Sequence, residues 1–151
     1  MSRRGSAPVV GVVLLVFVTV ALAGTVAAVG VTAPDRPAAA TALSLRVDGD
    51  AVTLRHEGGG TLDARDLRVV VEVNGTRLRH QPPVPFFAAE GFRGGPTGPF
   101  NAAADPAWTA GESASVRLAS TNDPALGPGA RVRVTVYAGD RRVVSLVTTA
   151  R

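Results

Sequence analysis

The sequence predicts an N-terminal transmembrane helix followed by an all-β antiparallel sandwich. Three observations carry this expectation. Residues Ala7 to Ala33 form an uncharged run of 27 residues. Beyond residue 41 the apolar pattern changes to a period of two, the alternation of a half-buried strand. Short β-branched runs there are separated by glycine, proline and aspartate turn signals. The 151 residues leave room for one compact domain after the apolar run. From residue 42 onward 110 residues remain, enough to bury a core without metal or disulfide support. Cysteine is absent, which excludes thiol chemistry and a disulfide scaffold but does not decide the compartment.

Every one of the 16 basic residues is arginine, against 12 acidic residues, for a net charge of +4. The isoelectric point of about 11.2 follows, because guanidinium stays protonated far above neutral pH and a small excess suffices. From residue 42 onward, 13 arginines and 11 acidic residues alternate along the chain. No basic stripe is expected, and no nucleic-acid partner.

Arg3 and Arg4 precede the apolar run. By the positive-inside rule they hold that end in the cytoplasm and leave the remainder of the chain outside, in a single pass through the cell membrane. A helix of 27 residues would extend about 40 Å, longer than the roughly 30 Å of hydrocarbon it has to cross. Pro8 suits a first helical turn. Three readings fit this segment. One is a secretory signal peptide cleaved after Ala21-Leu22-Ala23, although the apolar stretch continues past Ala23. Another is an uncleaved signal anchor. The third is a processed leader of five residues.

That third reading rests on a resemblance. The stretch Arg4-Gly5-Ser6-Ala7-Pro8-Val9-Val10-Gly11-Val12-Val13-Leu14-Leu15 resembles the start of archaeal type IV pilins, especially the haloarchaeal kind. The resemblance implies prepilin-peptidase cleavage between Gly5 and Ser6, with Arg4 and Gly5 as the recognition end of the leader. Ala7 stands where the family more often has serine, and Val10 where it often has isoleucine. It further implies a structural subunit held in membrane lipid before assembly, then joined to its own copies in an extracellular, cell-surface filament used for adhesion. A pilus assembly ATPase and its membrane platform would be partners. Haloarchaeal proteins usually carry an acidic excess; here the chain would stand at +2 even after Arg3 and Arg4 are removed. The helix offers small residues at helical spacing, Thr19, Ala23 and Ala27 on one strip with Gly24 beside it, which allow close approach of neighbouring helices. Pro8 and Gly11 belong to the same packing segment. Such residues are equally frequent in an ordinary anchor.

The chain thus divides into a leader (1–5), a hydrophobic helix (6–31), a linker (32–41) and an extracellular β domain (42–151). The linker contains Pro34 and Pro37; the first should end the helix near Val31. Residues 42–47 and 51–56 alternate around Asp48-Gly49-Asp50 and form a predicted hairpin. Residues 67–73 are a β-branched run, and Asn74-Gly75 is a strong turn signal leading into residues 76–78. Residues 113–119, 131–138 and 143–149 complete six or seven strands, the last two joined by Gly139-Asp140. No long amphipathic helix follows the apolar run, so the sandwich is expected to be immunoglobulin-like. Its predicted core draws on Leu43, Leu45, Val52, Leu54, Leu67, Val69, Val71, Val116, Leu118, Val132, Val134 and Val136.

Between strands, residues 80–101 carry five prolines and four of the five phenylalanines. A segment of this length without regular structure is either disordered or functional, and the aromatics argue against disorder. It is an ordered cover on one end of the sandwich, or an exposed contact surface presenting Phe86, Phe87, Phe92, Phe100 and the nearby Trp108. The segment also resembles a block of haloarchaeal pilin-like proteins. Little here suggests catalysis. His56, at a strand end, and His80 read as surface or turn residues, and hydrolase, metalloprotease and phosphate-loop motifs are missing. No enzyme activity, cofactor or metal is expected; Asp48 with Asp50, or Asp63 with Asp66, would be the calcium candidates. Asn74-Gly75-Thr76 matches the N-glycan acceptor pattern, while Asn-Gly is equally a preferred hairpin turn. The runner-up function is a non-polymerising membrane-anchored or secreted binding module.

Overall fold

A computed structural model describes residues 12–14 and 40–151. The chain divides into two units, Met1–Pro37 and Ala38–Arg151, and each is described by itself. In the first, residues 12–14 are helical. Among the described residues no helix is long and apolar enough to cross a membrane. This corrects the expected single-pass membrane location: crossing takes about 20 consecutive apolar helical residues. The rest of the 6–31 segment lies outside the described residues.

The second unit is antiparallel β structure. Its nine strands are β1 (Ala42–Asp48), β2 (Ala51–Gly58), β3 (Leu62–Asp63), β4 (Leu67–Val73), β5 (Thr76–Arg77), β6 (Ala107–Trp108), β7 (Ser113–Arg117), β8 (Arg131–Ala138) and β9 (Arg141–Thr149). One sheet has the order β1-β2-β7, a second β5-β4-β8-β9, and β3 pairs with β6 alone. Turn chemistry sets the registers. Asp48 pairs with Ala51 across Gly49-Asp50. Val73 pairs with Thr76 across Asn74-Gly75, whose φ values of 52° and 84° are those of the primed turn that matches strand twist. Ala138 pairs with Arg141 across Gly139-Asp140.

Alternation then sorts the side chains. Leu43 and Val47 of β1, Val52, Leu54 and His56 of β2, and Ala114 and Val116 of β7 turn inward. From the other sheet come Leu67, Val69, Val71 and Val73 of β4 with Val132, Val134 and Val136 of β8, and both sets join one core. The core expected from the sequence is upheld, with Leu45 only partly buried against it. Val70 is buried too, but on the opposite side of β4. His56 corrects an expectation: it is fully buried, because it shares its parity with Val52 and Leu54. The expected strand 113–119 ends at Arg117.

Residues 91–97 run along the free edge of β7. Arg93 N–H donates to Arg117 O at 2.8 Å, Thr97 N–H to Ser115 O at 3.0 Å, and Ala119 N–H to Gly91 O at 3.0 Å. An open sheet edge invites pairing with other chains, and this segment occupies it. The free side of β4 is closed differently. The Gln81 amide accepts from Val71 N–H at 2.7 Å and donates to Val71 O at 3.0 Å, standing in for a neighbouring strand.

Gly98 makes the close approach possible. Its φ is +59°, and a Cβ there would lie 2.2 Å from Ser113 O, a backbone atom that cannot step aside. Gly95, on the same segment at φ +77°, faces open space. Gly98→Ala should therefore lower unfolding stability by roughly 2–4 kcal/mol, against about 1 kcal/mol for Gly95→Ala. Urea titration of the two variants measures the difference.

Candidate functional site

The aromatic segment is built as a cover. Phe86 and Phe92 meet edge to face at 5.8 Å, and Phe100 meets Trp108 at 5.3 Å. Trp108 in turn contacts the His56 ring at 5.8 Å, and its indole N–H donates to Glu112 O at 3.1 Å. Phe86, Phe92, Phe100 and Trp108 are all buried in the common core. Each such side chain contributes about 1.5–3 kcal/mol by leaving water. The exposed-contact expectation is thus corrected for these four residues: prolines and glycines turn the backbone so that the rings face inward. Phe87 alone is exposed, at 61%.

Three polar groups fasten the cover, Asn122 and Asn101 within itself and Asp50 to the sheet. Asn122 is 3% exposed. Its Oδ1 accepts from His80 N–H, and its amide donates to His80 O at 3.0 Å and to Gly91 O at 3.1 Å. It therefore ties the start and middle of the cover together, saturating groups that burial would otherwise leave unpaired. Asp50, on the β1–β2 turn, receives Arg93 from the cover at 2.9 Å and Arg117 from β7 at 3.1 Å. Asn101 Nδ2 donates to Pro96 O at 2.9 Å. Neither Asn122 nor Asp50 was visible as a clamp in the sequence, since their partners lie tens of residues away.

Several titratable groups are engaged in structure. His56 Nε2 lies 3.0 Å from Gly60 O, to which it donates, and its buried Nδ1 has no hydrogen-bond partner among the described residues. His80 Nε2 stands 3.5 Å from Glu90. Three of the four calcium candidates, Asp48, Asp50 and Asp63, are paired with arginines. Asp48 binds Arg46. Asp63 accepts from the Arg65 side chain and from Arg65 N–H, and these bonds lower its pKa from 3.8 to about 2. The same pairing raises the Arg65 pKa. Hydrogen bonds from Thr109 N–H and its hydroxyl lower that of Glu112. Among the described residues no group of three potential ligands is close enough to hold a metal ion.

Asn74 is exposed at the β4–β5 turn, and its Oδ1 accepts from Arg131 N–H at 2.9 Å. That bond leaves Nδ2, the atom a glycan would join, uninvolved. The remaining expected site residues, Arg4, Gly5, Ser6, Pro8, Gly11, Thr19, Ala23, Gly24 and Ala27, lie outside the described residues. No protein-family model matches the chain, and no curated protein matches it.

The cover assigns opposite roles to adjacent phenylalanines. Phe100→Ala should cost about 3–5 kcal/mol of stability, whereas Phe87→Ala should stay within about 0.5 kcal/mol of the parent. Thermal and urea unfolding of both variants checks this.

Proposed function

We propose that the chain is a type IV pilin-like structural subunit, whose β domain is displayed on a filament and mediates adhesion through many copies. The observation that carries this reading is the order of residue types from Arg4 to Leu15. A basic and a small residue precede Ser6, then come Pro8, Gly11 and an apolar run. In this reading a prepilin peptidase cuts between Gly5 and Ser6. Thr19, Ala23 and Ala27 then allow sister helices to pack closely in the filament core. The partners are other copies of the chain, the peptidase and a pilus assembly ATPase.

The β domain suits such display. A three-stranded and a four-stranded antiparallel sheet over one core support an immunoglobulin-like sandwich, and the cover over the β7 edge restrains indiscriminate strand pairing. A non-polymerising binding module built on the same domain is the second reading, favoured by the polar hydrogen-bonded cover rather than by the N-terminal residues.

Intact mass spectrometry of the chain from its native cells tests the proposal. A mature N-terminus at Ser6 is expected, and Gly5→Phe should leave the chain uncut and abolish filaments in electron micrographs. A start at Gly24, or an intact Met1, would overturn it.

A further inference from the structure

The two sheets present very different charge to solvent. On the outer face of β1-β2-β7, Arg46 is bound by Asp48, Arg55 by Glu57 and Arg117 by Asp50, which also receives Arg93 of the cover, so each arginine there has a carboxylate within ion-pair distance. On the outer face of β5-β4-β8-β9, strand register brings together Arg68, Arg77, Arg131, Arg133 and Arg142. The one acidic residue among them is Glu72, shared by Arg77 and Arg133 at 3.5 Å each. Arg68 lies over the Tyr137 ring at 4.1 Å. Among the described residues no carboxylate lies within ion-pair distance of Arg68, Arg131 or Arg142. Asp66 and Asp140 sit beyond the strand ends, where Gly139 N–H meets Asp66 O.

Like charges side by side on a sheet are destabilising, and the opposite sheet of the same domain compensates every one. We propose that this arginine face binds an anionic polysaccharide bearing carboxylate or sulfate groups. Guanidinium forks match both groups in bidentate geometry. The face is long enough for a polymer: from Arg131 to Tyr137 the strand β8 extends about 20 Å. A depression of 360 Å³ at one end of the face is lined by Glu72, Asn74, Gly75, Arg131 and Arg133, and Arg131 there would receive an acidic group. Between the charged rows, Thr135 and Ser145 pair their hydroxyls at 3.1 Å and offer hydrogen bonds to sugar hydroxyls. The chemistry fits a glycan better than a nucleic acid or a lipid surface. Tyr137 is the face's one aromatic ring and is already stacked by Arg68, so bases have no platform. Val147 is the one exposed large apolar side chain on it, too little to enter a bilayer. This binding does not depend on filament assembly.

The test uses the full chain on immobilised alginate, dextran sulfate and unmodified dextran. Alginate and dextran sulfate should bind and be released by salt, and dextran should not bind. The variant Arg68→Ser/Arg131→Ser/Arg142→Ser should bind about tenfold more weakly or worse. Arg46→Ser/Arg55→Ser/Arg117→Ser removes the same charge from the other sheet and should stay within about twofold. Circular dichroism melts establish that both variants fold; if the first does not, Arg131→Ser/Arg142→Ser replaces it, with weaker binding again expected. Equal loss in the two triple variants would reduce the effect to net charge and overturn the proposal. So would binding to plain dextran, or stronger binding to duplex DNA or anionic phospholipid vesicles than to either charged glycan.

Discussion

The β domain depends on residues 91–97 being paired with the edge of β7. That pairing closes an otherwise open sheet edge and places Phe86, Phe92 and Phe100 over the core beside Trp108. The other devices serve it. Gly98 removes the Cβ that would strike Ser113 O, Asn122 binds the two arms of the cover to each other, and Asp50 joins the cover to β7 through two arginines. A long segment without regular structure is thereby as much a part of the core as the strands. Its backbone is ordered because its apolar side chains and buried polar groups are both satisfied.

A sealed edge and a filled core shift any recognition to the outer faces. There the chain partitions its arginines unequally. One sheet sets a carboxylate beside each of its arginines, and the other leaves Arg68, Arg131 and Arg142 without one while Arg77 and Arg133 share Glu72. For a subunit repeated along a filament, a modest attraction per copy becomes strong when many copies engage one polymer. The same face on an isolated module would bind more weakly but by the same chemistry.

Much of the fold was legible because its signals are local. Gly49, Asn74-Gly75 and Gly139 announced three hairpins, and alternation placed most inward residues. His56 was legible too, had its parity with Val52 and Leu54 outweighed its place near a strand end. The two-residue strands Leu62–Asp63 and Ala107–Trp108 are too short to carry a period. Burial of the cover's rings was one of two outcomes the aromatic composition allowed, and pairing to β7 decided it. Asn122 looked like any turn residue, since its partners His80 and Gly91 are far away in sequence. The charge partition was hidden most completely. Arginines and acids alternate along the chain, but the pleat and the strand register gather them by face, so an even linear distribution becomes an uneven surface.

Native-state hydrogen exchange of the backbone amides tests the role of the cover most directly. If the cover belongs to the core, the amides of Arg93, Thr97 and Ala119 exchange only through the global unfolding that also exposes Val134 in β8. Exchange of these three amides by local opening, far faster than that of Val134, would contradict the account and make the segment a loop resting on a domain that is complete without it.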